Sequence, residues 1–256
     1  MSDIKFSVIT VSLNSENEIE KTITSVANQN YPNKEHIVID GGSVDGTVDI
    51  IRKYDEQLSI WVSEPDSGIA DAMNKGISRA TGDYVLFINS DDYLIDDNVL
   101  QKVFESVQDK LDYYIFKVLA VYPDNKTGFL PNNDFSFATN FKMRSCHQGH
   151  VIARKLFEQY SGYDCSFRIG MDYEFVLRVL RQGIKSRSVD LVISGMGQTG
   201  ISSRKDWAGL EQRFMDERNA QSKNCPNFAL GALYPIYWHL YIAYRKILHV
   251  FKQHQS

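Results

Sequence analysis

Within the first 92 residues, four apolar runs rich in β-branched side chains each give way to a cluster of small and acidic residues. They are Phe6–Ser12, His36–Asp40, Leu58–Ser63 and Tyr84–Ile88. Helix-patterned stretches separate them. Strands alternating with helices imply βαβ units, hence an α/β domain with a Rossmann-like, mostly parallel sheet flanked by helices. Sheets of this kind bind ligands in the crevice beyond the carboxyl ends of their strands. The last cluster, Asn89-Ser90-Asp91-Asp92, puts two carboxylates directly after a strand. Carboxylates there, beside helix N-termini, suit a metal–diphosphate complex.

The elements between the clusters have their own signals. Ser15-x-x-Glu18 has the spacing of a capping box and predicts a helix to about Asn28. Asn30-Tyr31-Pro32-Asn33 is turn chemistry, and Thr47–Asp55 resembles a short helix. Over Ile69–Ala80 the residues Ile69, Ala72, Met73, Gly76, Ile77 and Ala80 form one apolar stripe, with Asp71, Asn74, Lys75 and Ser78 on another face. Further on, Tyr113–Tyr122 is a long strand ending at a Pro123–Lys126 turn. Residues 129–150 lack pattern, Lys155–Tyr160 and Tyr173–Arg181 have helical spacing, and Ser188–Ser194 is a late strand.

With 43% hydrophobic residues among 256, the chain can bury a sizeable core. A net charge of -4 argues against a nucleic-acid partner. Three cysteines (Cys146, Cys165, Cys225) without metal-site spacing, and no secretory signal at Met1–Ser12, predict a reduced cytoplasmic setting. Charge is unevenly spread. From Arg218 onward there is no acid, and Arg218, Lys223, Arg245, Lys246 and Lys252 give +5, so the preceding 217 residues carry -9. The uncharged stretch Pro226–Tyr244 contains Asn227, Gly231, Pro235, His239 and four tyrosines, too polar a mixture for a good membrane span. Beyond Pro235, Ile236, Leu240, Ala243, Ile247 and Val250 share a helical face. An aromatic, basic-flanked helix of this type favours the headgroup region. Peripheral attachment to the inner face of the cytoplasmic membrane is expected, with packing on the body or on a second copy (a homodimer) as the alternatives.

Mg²⁺ or Mn²⁺ needs hard oxygen ligands, which Asp91 or Asp92 can supply, although Asp-Asp is also ordinary turn and cap chemistry. The context is more specific. The segments Val8-Ile9-Thr10-Val11-Ser12-Leu13-Asn14, Val38-Ile39-Asp40-Gly41-Gly42-Ser43-Val44-Asp45-Gly46-Thr47, Glu64-Pro65-Asp66-Ser67-Gly68-Ile69-Ala70-Asp71-Ala72-Met73-Asn74-Lys75-Gly76 and Phe87-Ile88-Asn89-Ser90-Asp91-Asp92 occur in order. Together they resemble the inverting family 2 glycosyltransferases of GT-A fold, particularly those building bacterial surface polysaccharides such as O-antigen, capsule and colanic acid. The likeness spans Phe6 to about Leu94, and residues 147–183 more loosely.

The resemblance implies a role for each matching position. Ser12, Asn14 and Glu16 would line the nucleotide pocket, with Asp40 accepting a hydrogen bond from a uracil ring. Ser43, Asp45 and Gly46 would form the next turn. Asp71, Asn74 and Lys75 would face the donor, Lys75 offering charge to phosphate. Asn89 and Ser90 would sit beside it, and Asp91 would bind Mn²⁺ or Mg²⁺. His147 and Gln148 match a pair near the acceptor. Asp172 takes the position of the general base, with Glu174 as the fallback, although Asp172 also suits a helix N-cap. Three positions depart from the family: Asn89 and Gly41 stand where aspartate is usual, and Val11 where proline is common. The implied organisation is a nucleotide-sugar half over residues 1–95, an acceptor half over 96–205 and a helical extension over 206–256. The implied reaction moves a sugar from a UDP-linked donor to a saccharide on a polyprenyl diphosphate carrier.

Other signals point elsewhere. Gly195-Met196-Gly197-Gln198-Thr199-Gly200 matches GxGxxG with Asp216 downstream, but no parallel strand follows, so a glycine-rich loop closing over the donor is the better reading. Cys146-His147-Gln148-Gly149-His150 lacks the further ligands or partners of a metal or Cys–His site. A sugar-phosphate nucleotidyltransferase would use a related sheet but needs a basic, glycine-rich first loop, and Leu13–Asn17 is acidic. A simple polyprenyl phosphate acceptor and an inactive scaffold complete the alternatives.

Overall fold

The computed structural model describes residues 4–122, 126–197 and 206–253. Strands β1 (Phe6–Ser12), β2 (Lys34–Asp40), β3 (Ile60–Ser63) and β4 (Tyr84–Phe87) pair in parallel in the order β3-β2-β1-β4. β1 is buried on both faces, as expected for a central parallel strand. Beyond β4 the sheet continues through β8 (His150–Ala153), β6 (Tyr113–Val121), β9 (Ser186–Gly197) and β5 (Asp92–Leu94), with β7 (Thr127–Leu130) paired to β6. β8 is antiparallel to both neighbours, so the sheet is mixed and its parallel half carries the first four clusters.

Helices cover both faces: α1 (Ile19–Ala27), α2 (Thr47–Lys53), α3 (Ile69–Ile77), α4 (Val99–Ser106), α5 (Arg154–Gln159) and α6 (Met171–Leu180). Side chains alternate across β1: Phe6 and Val8 join one core with α4, while Ile9 and Val11 join another with α3 and α6. Gly76 lets α3 approach closely, because a Cβ there would sit 2.5 Å from Ile9 Cγ2. Two further helices, α7 (Trp207–Lys223) and α8 (Phe228–Gln253), pack on each other through Leu210, Phe214, Leu230, Tyr234 and Trp238.

Several local expectations change. The capping box at Ser15 does not form: Glu18 is the N-cap of α1 without a side-chain bond, and the Ser15 hydroxyl reaches Ser90 instead. Three-residue strand β5 and strand β8 were not anticipated, and the patternless 129–150 stretch contains two 3₁₀ turns. β9 runs on through Gly197, with bulged pairing opposite Phe116–Val118 that bends it toward β5. Gly195 and Gly197 therefore lie in a strand, not in a phosphate loop, and a Cβ at Gly195 would meet the Tyr93 ring at 2.4 Å. The rest of that glycine-rich segment, like the turn at Pro123–Asn125, lies outside the described residues.

Candidate active site

Lateral register builds the nucleotide side. Ser12, Asp40 and Ser63 are aligned across β1, β2 and β3. The buried Asp40 carboxylate accepts from Ser12 Oγ at 3.1 Å, Ser63 Oγ at 2.7 Å, Gly42 N at 3.1 Å, and Ser43 N and Oγ at 2.9 and 2.5 Å. Both oxygens are thus engaged within the chain, and Asp40 acts as a clamp on the turn after β2. Asn14, with φ 49°, donates its backbone N–H to Ser43 Oγ and accepts from Val44 N. Glu16 accepts from Gly46 N at 2.8 Å and donates its N–H to Asp45. The loops after β1 and β2 are one knitted wall, and the Asp66 carboxylate leans over Gly41 beside Leu13.

The polar face of α3 borders the same crevice. Lys75 bonds the Pro65 carbonyl at 2.8 Å and pairs with Glu64 at 3.2 Å and Asp71 at 3.6 Å. The Asp71 carboxyl is held below its usual range, chiefly by the Ser67 N–H and then by Lys75. Asn74 differs from expectation: its amide both donates to Tyr163 O and accepts from Tyr163 N, each at 2.8 Å. It fastens α3 to the second half of the chain, and the same amide nitrogen lies 3.5 Å from Cys165 Sγ.

The Asn89–Asp92 turn meets that second half at the end of β4. Thr22, on the buried side of α1, points its hydroxyl at the carbonyls of Asn89, Ser90 and Asp92. Ser90 is buried, its hydroxyl 2.8 Å from that of Ser15. Asp92 is also buried, with Oδ2 accepting from Gln148 Nε2 at 2.9 Å and Oδ1 without a partner. Burial, and next the charge of Asp91, hold its carboxyl well above the usual range. Asp91 is raised by burial as well, an effect opposed by its own backbone N–H and by His147.

Asp172 arrives from α6. Gly170 is the N-cap, so Asp172 lies inside the first turn and is not the cap. Its Oδ2 is 3.8 Å from His147 Nδ1, while His147 Nε2 is 3.0 Å from Asn89 Nδ2. The turn after β4 and the first turn of α6 are therefore linked through one imidazole. Burial raises the Asp172 carboxyl and lowers His147, and carboxylates at Asp172 and Asp91 partly offset the latter. Gln148 donates to Asp92 at 2.9 Å and accepts from the Cys146 thiol at 2.6 Å. That thiol is buried, and its pKa is pushed up, which suits neither a metal ligand nor a nucleophile.

The position of α6 is fixed by a residue of another helix. Asp216 of α7 accepts from Ile169 N at 2.8 Å and Gly170 N at 3.4 Å, serving the helix N-terminus from another element. Thr22 and Asp216 share a faint sequence signal, a polar residue on an otherwise inward helix face.

Asp91 and the unpartnered Asp92 Oδ1 are hard oxygen donors, which fit Mg²⁺ or Mn²⁺. No group of three or more metal-binding side chains exists among the described residues. A cation here would need ligand oxygens from a diphosphate or water to complete its shell.

Comparison with known proteins gives the family and the fold. Residues 7–169 match the family model "Glycosyl transferase family 2". An uncharacterised glycosyltransferase of Mycobacterium tuberculosis (strain H37Rv) is 33% identical over 205 residues, 78% of each chain. The putative teichuronic acid biosynthesis glycosyltransferase TuaG of Bacillus subtilis is 46% identical over 89 residues, 34% of this chain and 35% of that one. Among solved structures, S. aureus TarS 1-349 in complex with UDP-GlcNAc superposes with a TM-score of 0.67 at 19% identity, over 85% of this chain and 66% of that one. In another S. aureus TarS structure the chain covers 39% of the TarS chain. Mannosyltransferase PcManGT from Pyrobaculum calidifontis, in complex with GDP-Man and Mn²⁺, gives 0.68 at 18% identity over 96% and 73%. With a parallel nucleotide-type half, an acidic turn after β4 and a family match across more than half its length, this chain is a family 2 glycosyltransferase of GT-A fold.

Proposed function

We propose that this glycosyltransferase inverts, uses Mg²⁺ or Mn²⁺, and moves one sugar from a UDP-linked donor to a lipid-linked saccharide on polyprenyl diphosphate, in the assembly of a bacterial surface polysaccharide. The observation that carries the reading is the contact of the Asn89–Asp92 turn, through His147, with Asp172. Ser12, Asn14, Glu16, Asp40 and Ser43 form the wall against which the nucleoside lies, Asp40 by fixing the turn. Asp71, Lys75, Asn89 and Ser90 border the diphosphate and sugar. Lys75 is turned toward Glu64 and Asp71, and a diphosphate would compete with these acids for its ammonium.

Asp172 accepts the proton of the acceptor hydroxyl as the new oxygen–C1 bond forms. The bond from C1 to the phosphate oxygen breaks, and its electron pair leaves with UDP. Single displacement inverts the anomeric centre, so an α-linked donor gives a β-linked product. Asp91, with Asp92 behind it, would hold a divalent cation, whose Lewis acidity stabilises the departing diphosphate. The solved relatives bound to UDP-GlcNAc and to GDP-Man with Mn²⁺ support a nucleotide-sugar and a metal in this fold, and the teichuronic acid relative supports a cell-surface product.

No helix among the described residues is long and apolar enough to cross a membrane. α8 nevertheless leaves Leu233, Ile236, Leu240, Tyr244 and Ile247 exposed along one side, which supports peripheral attachment where a lipid-linked acceptor would be met. The test is a panel of UDP-sugars and GDP-mannose assayed for nucleotide release with extracted lipid-linked acceptors and Mn²⁺. Release of UDP that depends on both donor sugar and acceptor supports the reading. Release of pyrophosphate from a nucleoside triphosphate, or turnover with GDP-mannose alone, would replace it.

A further inference from the structure

The imidazole of His147 faces two groups of opposite demand. Asn89 Nδ2 lies 3.0 Å from Nε2, and an amide nitrogen can only donate, so Nε2 is the unprotonated, accepting nitrogen. In a neutral ring the proton then sits on Nδ1, directed at Asp172 Oδ2 across 3.8 Å. The reversed amide would set the Asn89 oxygen against an Nε2–H and leave the Nδ1 lone pair facing a carboxylate. Two acceptors would then confront each other in a buried site, the costlier arrangement. The remaining Asp172 oxygen, Oδ1, accepts from Tyr173 N at 2.8 Å, so both oxygens have an orienting donor direction.

We propose that Asn89 selects the Nδ1–H tautomer of His147, and that this N–H holds the Asp172 carboxylate in position to accept the acceptor's proton. Asn89 and His147 are thereby positioning residues for the base, an inference that rests on reading Asp172 as that base. The 3.8 Å separation is longer than a hydrogen bond, and for this role it must shorten when the acceptor arrives. Asparagine at 89 then has a reason. An aspartate there would accept from Nε2–H, drawing the proton away from Nδ1 or trapping an imidazolium between two carboxylates. Either outcome leaves Asp172 worse oriented or less basic. The neutral amide is a condition on the base and not merely a lost metal ligand.

Long-range ¹H–¹⁵N NMR of the full chain tests the tautomer without any substrate, with His147→Asn assigning the signal. A pyrrole-type Nδ1 and pyridine-type Nε2 at His147 are expected, shifting toward Nε2–H or the imidazolium in Asn89→Asp. A pyridine-type Nδ1 in the parent protein overturns the proposal. Kinetics with the UDP-sugar and extracted acceptor that give turnover provide the second readout. Asn89→Asp should lower kcat about ten- to a hundredfold. His147→Asn, whose amide nitrogen falls near Nδ1, should retain more kcat than His147→Gln. Thermal melts show whether each variant folds. Unchanged kcat in Asn89→Asp with a lower Mn²⁺ requirement would make residue 89 a metal-side position only. Full turnover in Asp172→Asn would instead remove the base assignment itself, whatever the tautomer.

Discussion

Asp40 and Asp172 are both carboxylates at element ends, and their neighbours assign them different work. Asp40 is saturated by five protein donors. Replacing it with alanine would orphan them, so the loss should appear as stability, about 3 kcal/mol in a denaturant titration. Asp172 has one clear donor and a raised carboxyl, because burial penalises its charge more than Tyr173 and His147 relieve it. In the proposed role of base, Asp172 must be deprotonated to act. The rate should therefore fall as pH drops through a value above the ordinary carboxylate range near 4, and a pH–rate profile reads that limb directly. The sequence marked both residues, since each closes a recognisable segment. It could not distinguish their tasks, because Ser12, Ser43 and Ser63 converge on Asp40 only through strand register. The commitment of Asn74 to Tyr163 was equally invisible, depending on a contact 89 positions away.

At the scale of elements, the first half was legible because each strand, turn and helix carries its own period and punctuation. α3 follows its predicted stripe, ending at Ile77 where Ala80 was expected. Its closeness to β1 depends on Gly76, and Gly76→Ala should cost about 1–3 kcal/mol by forcing the two apart, read as a lower midpoint at unchanged slope. Sequence pattern failed where long-range pairing decides the structure. β8 has four residues and exists because β4 and β6 flank it, and the bent end of β9 is set by its bulge and by β5. The N-terminus of α6 likewise depends on Asp216 in a distant helix. Asp216→Ala should cost about 1–2 kcal/mol and lower kcat, since the turn bearing Asp172 loses its anchor.

Across the whole molecule, buried histidines govern behaviour in acid. His36 and His150 are held neutral by burial, with pKa values lowered to about 3. Their unfolded counterparts take up protons below about pH 6.5, so the unfolded state binds more protons and stability falls as pH drops from there toward 3. Between pH 7 and 5.5 the two together should cost about 2.5 kcal/mol, visible as a falling melting temperature that flattens in a His36→Gln, His150→Gln variant. The exposed side of α8 makes a separate prediction. Leu240→Glu should weaken co-sedimentation with anionic vesicles while leaving the melting temperature within a degree or two, because Leu240 is 64% exposed.

In the proposed reaction, residues from the turn after β4 and from α6 divide the work, Asp91 serving the metal and diphosphate and Asp172 the acceptor proton. Calorimetric UDP binding with and without Mn²⁺, measured beside turnover for Asp91→Ala and Asp172→Asn, tests that division. Asp172→Asn should bind UDP and Mn²⁺ like the parent protein yet turn over on the order of a hundred- to ten-thousandfold more slowly, while Asp91→Ala loses the Mn²⁺-dependent part of UDP binding. Parental turnover in Asp172→Asn, or undiminished Mn²⁺-dependent binding in Asp91→Ala, would contradict it.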